Sequence, residues 1–431
     1  MCKFTFFSWL IALSYLSLSP LHSQTASFAT WKDNKKAAYS IIHDDFGNVV
    51  TSIYDIAFPI ATARGVKFSF GAITGACGTA EWTKARTMIA AGHDCINHSH
   101  SHKCGGIASD CTGVPQYGVA DFPLELDQST QAIQTNTGIR PIFFIHPYDA
   151  FTPTILNYLK NNLGYIGSRA GTPGNINSSD FTNYMNLDWG TYDGTPAALL
   201  SLNSTLDETI RIGGFSVHEF HGIDDASFGP ITRANYTAHL DYVKSKIADG
   251  SVWSGTATEV ITYKMQRDAY TIGTAYNATA GTINVNFTAN TQLNTALLRS
   301  PVTVNVNLGT IPGSFTATQG TTNINTTRNG NIISFNIYPH QGNIVLKTGT
   351  VTVINPVPGC LKASYYSNRN LSGTPVIVRA ENKIDYNWGA GAPITGLPNN
   401  QFAVRWEGTI NPPLTGSYTF TTTVEIGRAH V

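Results

Sequence analysis

Charge is what this chain has least of. Asp, Glu, Lys and Arg make up 13% of its 431 residues, and the 27 acidic and 27 basic side chains cancel. The usual share of charged residues is about twice that. A chain with no net charge and no basic stripe is not organised around nucleic acid or an acidic polymer. Long apolar runs are equally scarce. The one present, Phe4–Leu18, follows Lys3 and ends in Ser19-Pro20-Leu21-His22-Ser23-Gln24. It reads as a secretory signal peptide over residues 1–23, short of the roughly 20 residues a membrane span needs. The expectation is a secreted, periplasmic or cell-surface protein of bacterial type, with no stable membrane span once the signal is removed. Cysteine is sparse, at six residues. Cys2 would leave with the signal, and no Cys-x-x-Cys pair exists, which argues against a cysteine-based zinc site. In an exported chain Cys77, Cys95, Cys104 and Cys111 are disulfide candidates; a Cys104–Cys111 bridge would close a short loop, and Cys360 looks unpaired.

What the chain has in excess is Thr, Asn, Ser and Gly, a composition that favours a β-rich extracellular protein facing a neutral polymer. At this length two to four domains are expected. Residues 35–268 alternate strand-like and helix-like segments: strands at 37–42, 66–73, 141–145, 164–168 and 215–220, helices at 49–63, 82–91, 153–163 and 236–248. Repeated βα units imply a parallel sheet wrapped by helices, either a barrel or a doubly wound sheet. From about Ala269 short β-branched runs at 282–288, 302–308, 313–319, 332–337 and 343–347 suggest a small β-sandwich. Residues 351–359, with Pro356 and Pro358, read as a linker. A third β-rich piece follows at 360–424, and 425–431 matches the translation of a sequencing adapter and is excluded from fold reasoning.

Chemistry concentrates in Gly92-His93-Asp94-Cys95-Ile96-Asn97-His98-Ser99-His100-Ser101-His102. On a helix, the four-residue spacing would put His98 and His102 on one face, with Cβ atoms roughly 5–6 Å apart, close enough to share a Zn2+-like ion. His100, between them, would point away, and His93 is read as capping the preceding helix. Such a pair needs a third ligand, usually a carboxylate. Ile42-His43-Asp44-Asp45-Phe46-Gly47 places two carboxylates at a strand end, where the chemistry of a βα barrel gathers; His146 and His221 also fall just after expected strands.

Together these segments resemble the polysaccharide deacetylase family (NodB homology, carbohydrate esterase family 4). Its apolar strand ending in Asp-Asp is matched by Asp44 and Asp45, its histidine motif by His98 and His102, and its strand leading into Pro-Tyr by Phe143-Phe144-Ile145-His146-Pro147-Tyr148. A Trp-bearing segment follows as Asp188-Trp189, and the last motif looks like Ser216-Val217-His218-Glu219-Phe220-His221-Gly222. The resemblance implies a NodB-type distorted (β/α) barrel over 30–268, followed by the β-sandwich at 269–350. It implies a divalent metal, most often Zn2+, on Asp45, His98 and His102; Asp44 as general base; the Tyr148 backbone N–H as oxyanion donor; and a histidine as general acid. His218 and His221 compete for that last role, with His221 favoured because it ends the strand. His146, Tyr148 and Trp189 are substrate-binding candidates, while Trp189 and Trp253 read equally well as core. The arginine that often precedes Pro-Tyr-Gly is absent, Ile145 or His146 standing there, and Asp149 replaces the glycine. The implied activity is metal-dependent deacetylation, most readily N-deacetylation, of an acetylated polysaccharide. The competing expectations are an inactive glycan-binding or adhesive protein and an O-acetyl (acetyl-xylan) esterase. Residues 360–424, through Tyr365-Tyr366, Asn387-Trp388-Gly389 and Arg405-Trp406-Glu407-Gly408, resemble the first half of a PA14 β-barrel, a module associated with glycan binding.

Overall fold

The computed structural model describes residues 24–408 except 48–49, 107–110, 191–195, 310, 312–314, 349–360, 374, 382, 389–390 and 395–396, and also residues 417 and 419. The expected signal peptide, the 351–359 linker and the 425–431 tail lie outside the described residues, as does most of 409–424. Among the described residues no helix is long and apolar enough to cross a membrane.

In chain order the strands are β1 (Thr25–Phe28), β2 (Ala37–Phe46), β3 (Phe68–Ala72), β4 (Asp94–Asn97), β5 (Phe143–Ile145), β6 (Gly167–Pro173), β7 (Leu187–Trp189), β8 (Phe215–Phe220) and β9 (Val252–Ser254). The helices are α1 (Phe58–Thr62), α2 (Thr79–Ala90), α3 (Ser129–Thr137), α4 (Pro153–Asn161), α5 (Pro196–Ile212), α6 (Arg233–Ala248) and α7 (Ala257–Ala269). Seven strands run in parallel in the order β7-β6-β5-β4-β3-β2-β8. β2 is buried on both faces almost throughout, as expected of a parallel strand covered by helices. Its residues Ala38 and Tyr39 pair with both β8 and β9, so β9 takes the edge that β3 occupies further along. The curve nearly closes where Gly190, just past β7, donates to Val217 O at 2.8 Å and accepts from Glu219 N at 2.8 Å. A Cβ there would stand 2.8 Å from His218 Cδ2, so this seam requires glycine. The fold is a nearly closed parallel (β/α) barrel, the barrel rather than the doubly wound alternative.

Local chemistry sets the helix starts. Pro153 opens α4 behind Thr152, whose hydroxyl accepts from Ile155 N. Thr256 and Glu259 form a reciprocal capping box on α7, which satisfies two otherwise orphaned N–H groups. Trp82, Ala85 and Met88 of α2 join β2 and β3 in the main core.

The second layer is antiparallel: β10 (Tyr270–Asn277), β11 (Thr282–Ala289), β12 (Val302–Asn307), β13 (Phe315–Gln319), β14 (Thr322–Ile324), β15 (Thr327–Asn329), β16 (Ile332–Ile337) and β17 (Ile344–Thr348). β12 pairs with β16, and β10 pairs with β11 over eight residues. β1, which lies ahead of the barrel in sequence, pairs with β12 from Thr25↔Asn307 to Phe28↔Val304. The sandwich thus borrows an N-terminal strand that a boundary at 269 leaves out.

Residues from 361 contribute β18 (Leu361–Tyr366), β19 (Ile377–Glu381) and β20 (Ala403–Glu407), an antiparallel sheet in the order β19-β18-β20. Its small core is Ala363, Tyr365, Val376 and Leu397. Buried Glu381 accepts from Trp406 Nε1 at 2.6 Å and Arg379 Nε at 2.5 Å.

Candidate active site

β2 delivers the two carboxylates. Between His43 and Phe46 its register against β3 shifts, and Asp45 takes φ 64°. Aspartate tolerates this left-handed conformation better than most residues, and a bulge re-aims side chains. Neighbours on a regular strand would face opposite ways; here both enter one cluster.

Asp45 Oδ1 lies 3.2 Å from His98 Nε2 and 3.1 Å from His102 Nε2, and the two Nε2 atoms are 3.2 Å apart. The histidines are not on a helix. β4 ends at Asn97, and His98–His102 form a loop with Ser99 at φ 66° and His102 at φ 56°. Side chains compete successfully for the backbone here, as Ser and Asn often do. Asn97 Oδ1 accepts from Ser99 N at 2.9 Å, Ser99 Oγ from His102 N at 3.0 Å, and Glu125 from both Ser101 N and Ser101 Oγ. The loop therefore converges the rings by another route than the helical spacing suggested. The Cys104–Cys111 disulfide follows directly, and Cys77 and Cys95 are free thiols.

His98 Nδ1 donates to Ile145 O at 3.1 Å, which leaves Nε2 as the lone-pair nitrogen facing Asp45. Burial opposes ionisation of Asp45, yet the imidazoles of His102 and His98 beside it hold its carboxyl well below the usual range. One carboxylate and two imidazoles, with ligand atoms all within 4.8 Å of one another, fit a small divalent cation with a coordination position left open.

Sequence reasoning missed Arg169. The expected strand stopped at Ser168, whereas β6 runs on to Pro173. Arg169 is 1% exposed and grips Asp44 bidentately, Nη1–Oδ1 3.0 Å and Nη2–Oδ2 2.7 Å. Its Nη2 also meets Asp149 Oδ1 at 2.9 Å and Glu219 Oε2 at 3.7 Å, and its Cζ lies 4.7 Å from the Trp189 ring centroid. Burial would raise the Asp44 pKa, but Arg169, with His98 and His221, keeps it below the ordinary carboxylate value. Burial pushes Glu219 well above its ordinary value, against the opposing pull of Arg169. The one available signal was the period-two run Gly167, Arg169, Gly171, small residues flanking a large one on one strand face.

The other candidates separate by burial. His221 Nε2 lies 3.9 Å from Asp45 Oδ2, and its Nδ1 3.6 Å from Glu219 Oε1. His218 is 2% exposed and bonds Tyr39 OH at 3.0 Å inside the barrel, away from the cluster. Tyr148, with φ 58°, sets its ring 4.8 Å from that of His102. His146 is fully buried against Phe144 and Phe151, and neither ring nitrogen has a hydrogen-bond partner; the ring packs and offers no face to a sugar. Trp189 is likewise buried, beneath Arg169, so its role is to support the guanidinium. His93 caps α2 through its backbone N–H, which donates to Met88 O at 3.1 Å, while its ring turns inward: Nδ1 accepts from Phe68 N and Nε2 bonds Thr62 Oγ1. Trp253 is buried beside Tyr263.

A carboxylate–imidazole triad beside a second, arginine-held carboxylate at the strand ends of a parallel barrel is a group of side chains that could hold a divalent cation. Comparison with known proteins is more specific. Residues 32–166 match the polysaccharide deacetylase family and residues 356–427 the PA14 domain; the chain carries a polysaccharide deacetylase domain and a PA14 domain. It is 25% identical over 272 residues to a gellan lyase of a Bacillus species, covering 58% of this chain and 10% of that one. It is 34% identical over 76 residues to the anti-sigma-I factor RsgI3 of Acetivibrio thermocellus, 18% of this chain and 12% of that one. The chain thus spans about a tenth of the length of these curated relatives. Among solved structures, a family 4 acetyl xylan esterase from Clostridium thermocellum, in complex with cobalt, aligns over 52% of this chain and 90% of its own. That alignment has 18% identity and a TM-score of 0.36.

Proposed function

We propose that this chain is an exported, metal-dependent deacetylase that hydrolyses acetyl groups, N-acetyl first among them, from a polysaccharide. The observation that carries the reading is the pairing of Asp45, His98 and His102 with a neighbouring Asp44 that Arg169 keeps ionised. Asp45, His98 and His102 would hold a divalent cation such as Zn2+, which would supply Lewis-acid polarisation of the acetyl carbonyl and a lowered pKa for water. Asp44 takes the proton of the attacking water as general base. The backbone N–H of Tyr148 donates to the oxygen on which negative charge develops. His221, whose Nε2 lies 3.9 Å from Asp45 Oδ2, gives a proton to the departing nitrogen or oxygen. Arg169, from β6, takes in this reading the part of the family's missing arginine, and its grip on Asp44 supports an active barrel over an inactive one.

The test is acetate release from N-acetylated chito-oligomers and acetylated xylo-oligomers, together with metal content. Asp44→Asn is expected to keep the cation and lose roughly 10²–10⁴-fold in rate. His98→Ala is expected to lose both. Full acetate release by Asp44→Asn would refute the assignment, and the preferred oligomer decides between N- and O-acetyl chemistry.

A further inference from the structure

Phe228 is 79% exposed, the largest exposure of any large apolar side chain among the described residues. Single exposed apolar residues are common and need no explanation by themselves. Two features set this one apart. The first is that its loop is tied down. Asp225 accepts from Ser52 Oγ at 2.6 Å, Ser227 Oγ at 2.6 Å and Ser227 N at 3.1 Å. Ile223 N donates to Ser52 Oγ at 2.8 Å, and Gly222 and Asp224 exchange backbone bonds with Ile231. The ring is presented to solvent on a braced support. The second is position. The Phe228 centroid lies 5.5 Å from that of His221, at 72° to it. Asp45 gives Oδ1 to His98 and His102 and its Oδ2 lies 3.9 Å from His221 Nε2, so Phe228 stands beside a histidine that itself borders the triad.

We propose that Phe228 is a binding platform for the pyranose ring on the leaving-group side of the scissile acetyl bond. This rests on the proposed role of His221. A general acid must come within hydrogen-bond reach of the leaving atom, so the sugar that carries that atom stands beside His221. A pyranose has one face lined by C–H groups and a polar rim of hydroxyls. The C–H face loses water against an aromatic ring, and the rim stays solvated. The ligand class is therefore an acetylated glycan, and the platform acts on binding of the sugar, separately from activation of water at Asp44.

The experiment measures binding of N-acetylated chitopentaose and of acetylated xylopentaose to the full chain by calorimetry, and in parallel kcat and KM for acetate release. Phe228→Ala, Phe228→Trp and a control at a distant exposed residue, Leu200→Ala, are compared with the wild type. Phe228→Ala is expected to weaken binding about tenfold, to raise KM more than it lowers kcat, and to be rescued by Phe228→Trp; Leu200→Ala binds as the wild type does. Unchanged binding in Phe228→Ala, failure of the Trp variant to rescue, or no binding of either oligomer by the wild type would overturn the platform. If the wild type binds but releases no acetate, the deacetylase reading fails while the calorimetry still decides the platform.

Discussion

The barrel and the sandwich bury different things. Every buried histidine among the described residues (His43, His93, His98, His146, His218 and His239) lies in the barrel, with Asp44, Arg169 and Glu219. The buried residues of β11, β12 and β16 are Ile283, Val285, Val302, Thr303, Val304, Val306, Ile333, Phe335 and Ile337. Apart from the neutral Thr303 and Gln319, the polar groups of these sheets include ladders nearer the surface such as Asn34–Asn305–Ser334. Buried ion pairs are weak contributors to stability, because desolvation offsets their attraction. A region that buries one guanidinium among three carboxylates is therefore under a constraint other than stability. The described strands β11, β12 and β16 bury no charged side chain, and β11 and β16 follow hydrophobic alternation.

The comparison is tested hardest at Arg169. Arg169→Met would leave the Asp44 charge buried without its bidentate partner. Breaking one side of a buried pair costs about 3–5 kcal/mol, so the urea midpoint should fall sharply. With its main opposing charge gone, burial would raise the Asp44 pKa. A general base works only when deprotonated, so the acid limb of the acetate-release profile should move to higher pH in whatever Arg169→Met protein remains folded. An unmoved limb would show that Arg169 does not tune the base.

The buried histidines predict a smaller, graded effect. Burial lowers His43, His93 and His218 from 6.5 to about 4, and His146 to about 3 with Arg169 and His98 adding to the shift. The folded barrel holds these rings neutral, while the unfolded chain protonates them near their ordinary value. Their contribution is whole above about pH 6.5 and is lost as pH falls through the window down to about 4, at roughly 3 kcal/mol for each ring. His146→Phe isolates one of them, since neither of its nitrogens has a hydrogen bond to lose. Thermal midpoints between pH 7 and 4.5 should fall less steeply in that variant than in the wild type. Equal slopes would mean that His146 is not held neutral.

The barrel was legible because its strands are apolar on both faces and its helices carry caps and glycine stops. The residues of the triad were legible because Asp-Asp and His-x-x-x-His survive as local patterns. The loop that joins the histidines was not: a four-residue spacing looks the same on a helix and on a turn held by Asn97, Ser99 and Glu125. Nor was Arg169, whose partners Asp44, Asp149 and Glu219 come from three other segments and share no local pattern with it. β1 was missed for the same reason, since its partner β12 lies some 270 residues away and four apolar-alternating residues carry little signal alone. What depends on short-range periodicity could be read; what depends on a long-range charge or edge partner could not.

The smallest effect is expected in the sandwich. Asn305 Oδ1 accepts from Asn34 Nδ2 at 3.1 Å and Ser334 Oγ at 2.6 Å, and its Nδ2 donates to Asn34 Oδ1 at 2.6 Å. That is as many side-chain hydrogen bonds as Arg169 makes with carboxylates. Yet Asn305 is only partly buried, so water replaces what alanine removes, and a neutral hydrogen bond contributes about 0.5–1.5 kcal/mol at most. Asn305→Ala should therefore shift the urea midpoint by the equivalent of about 1 kcal/mol or less, with acetate release within about twofold of the wild type. Set beside Arg169→Met, it separates the number of bonds from the burial of charge. A loss as large as that of Arg169→Met would mean that the sandwich ladders are as constrained as the barrel cluster, and the contrast between the two regions would fall.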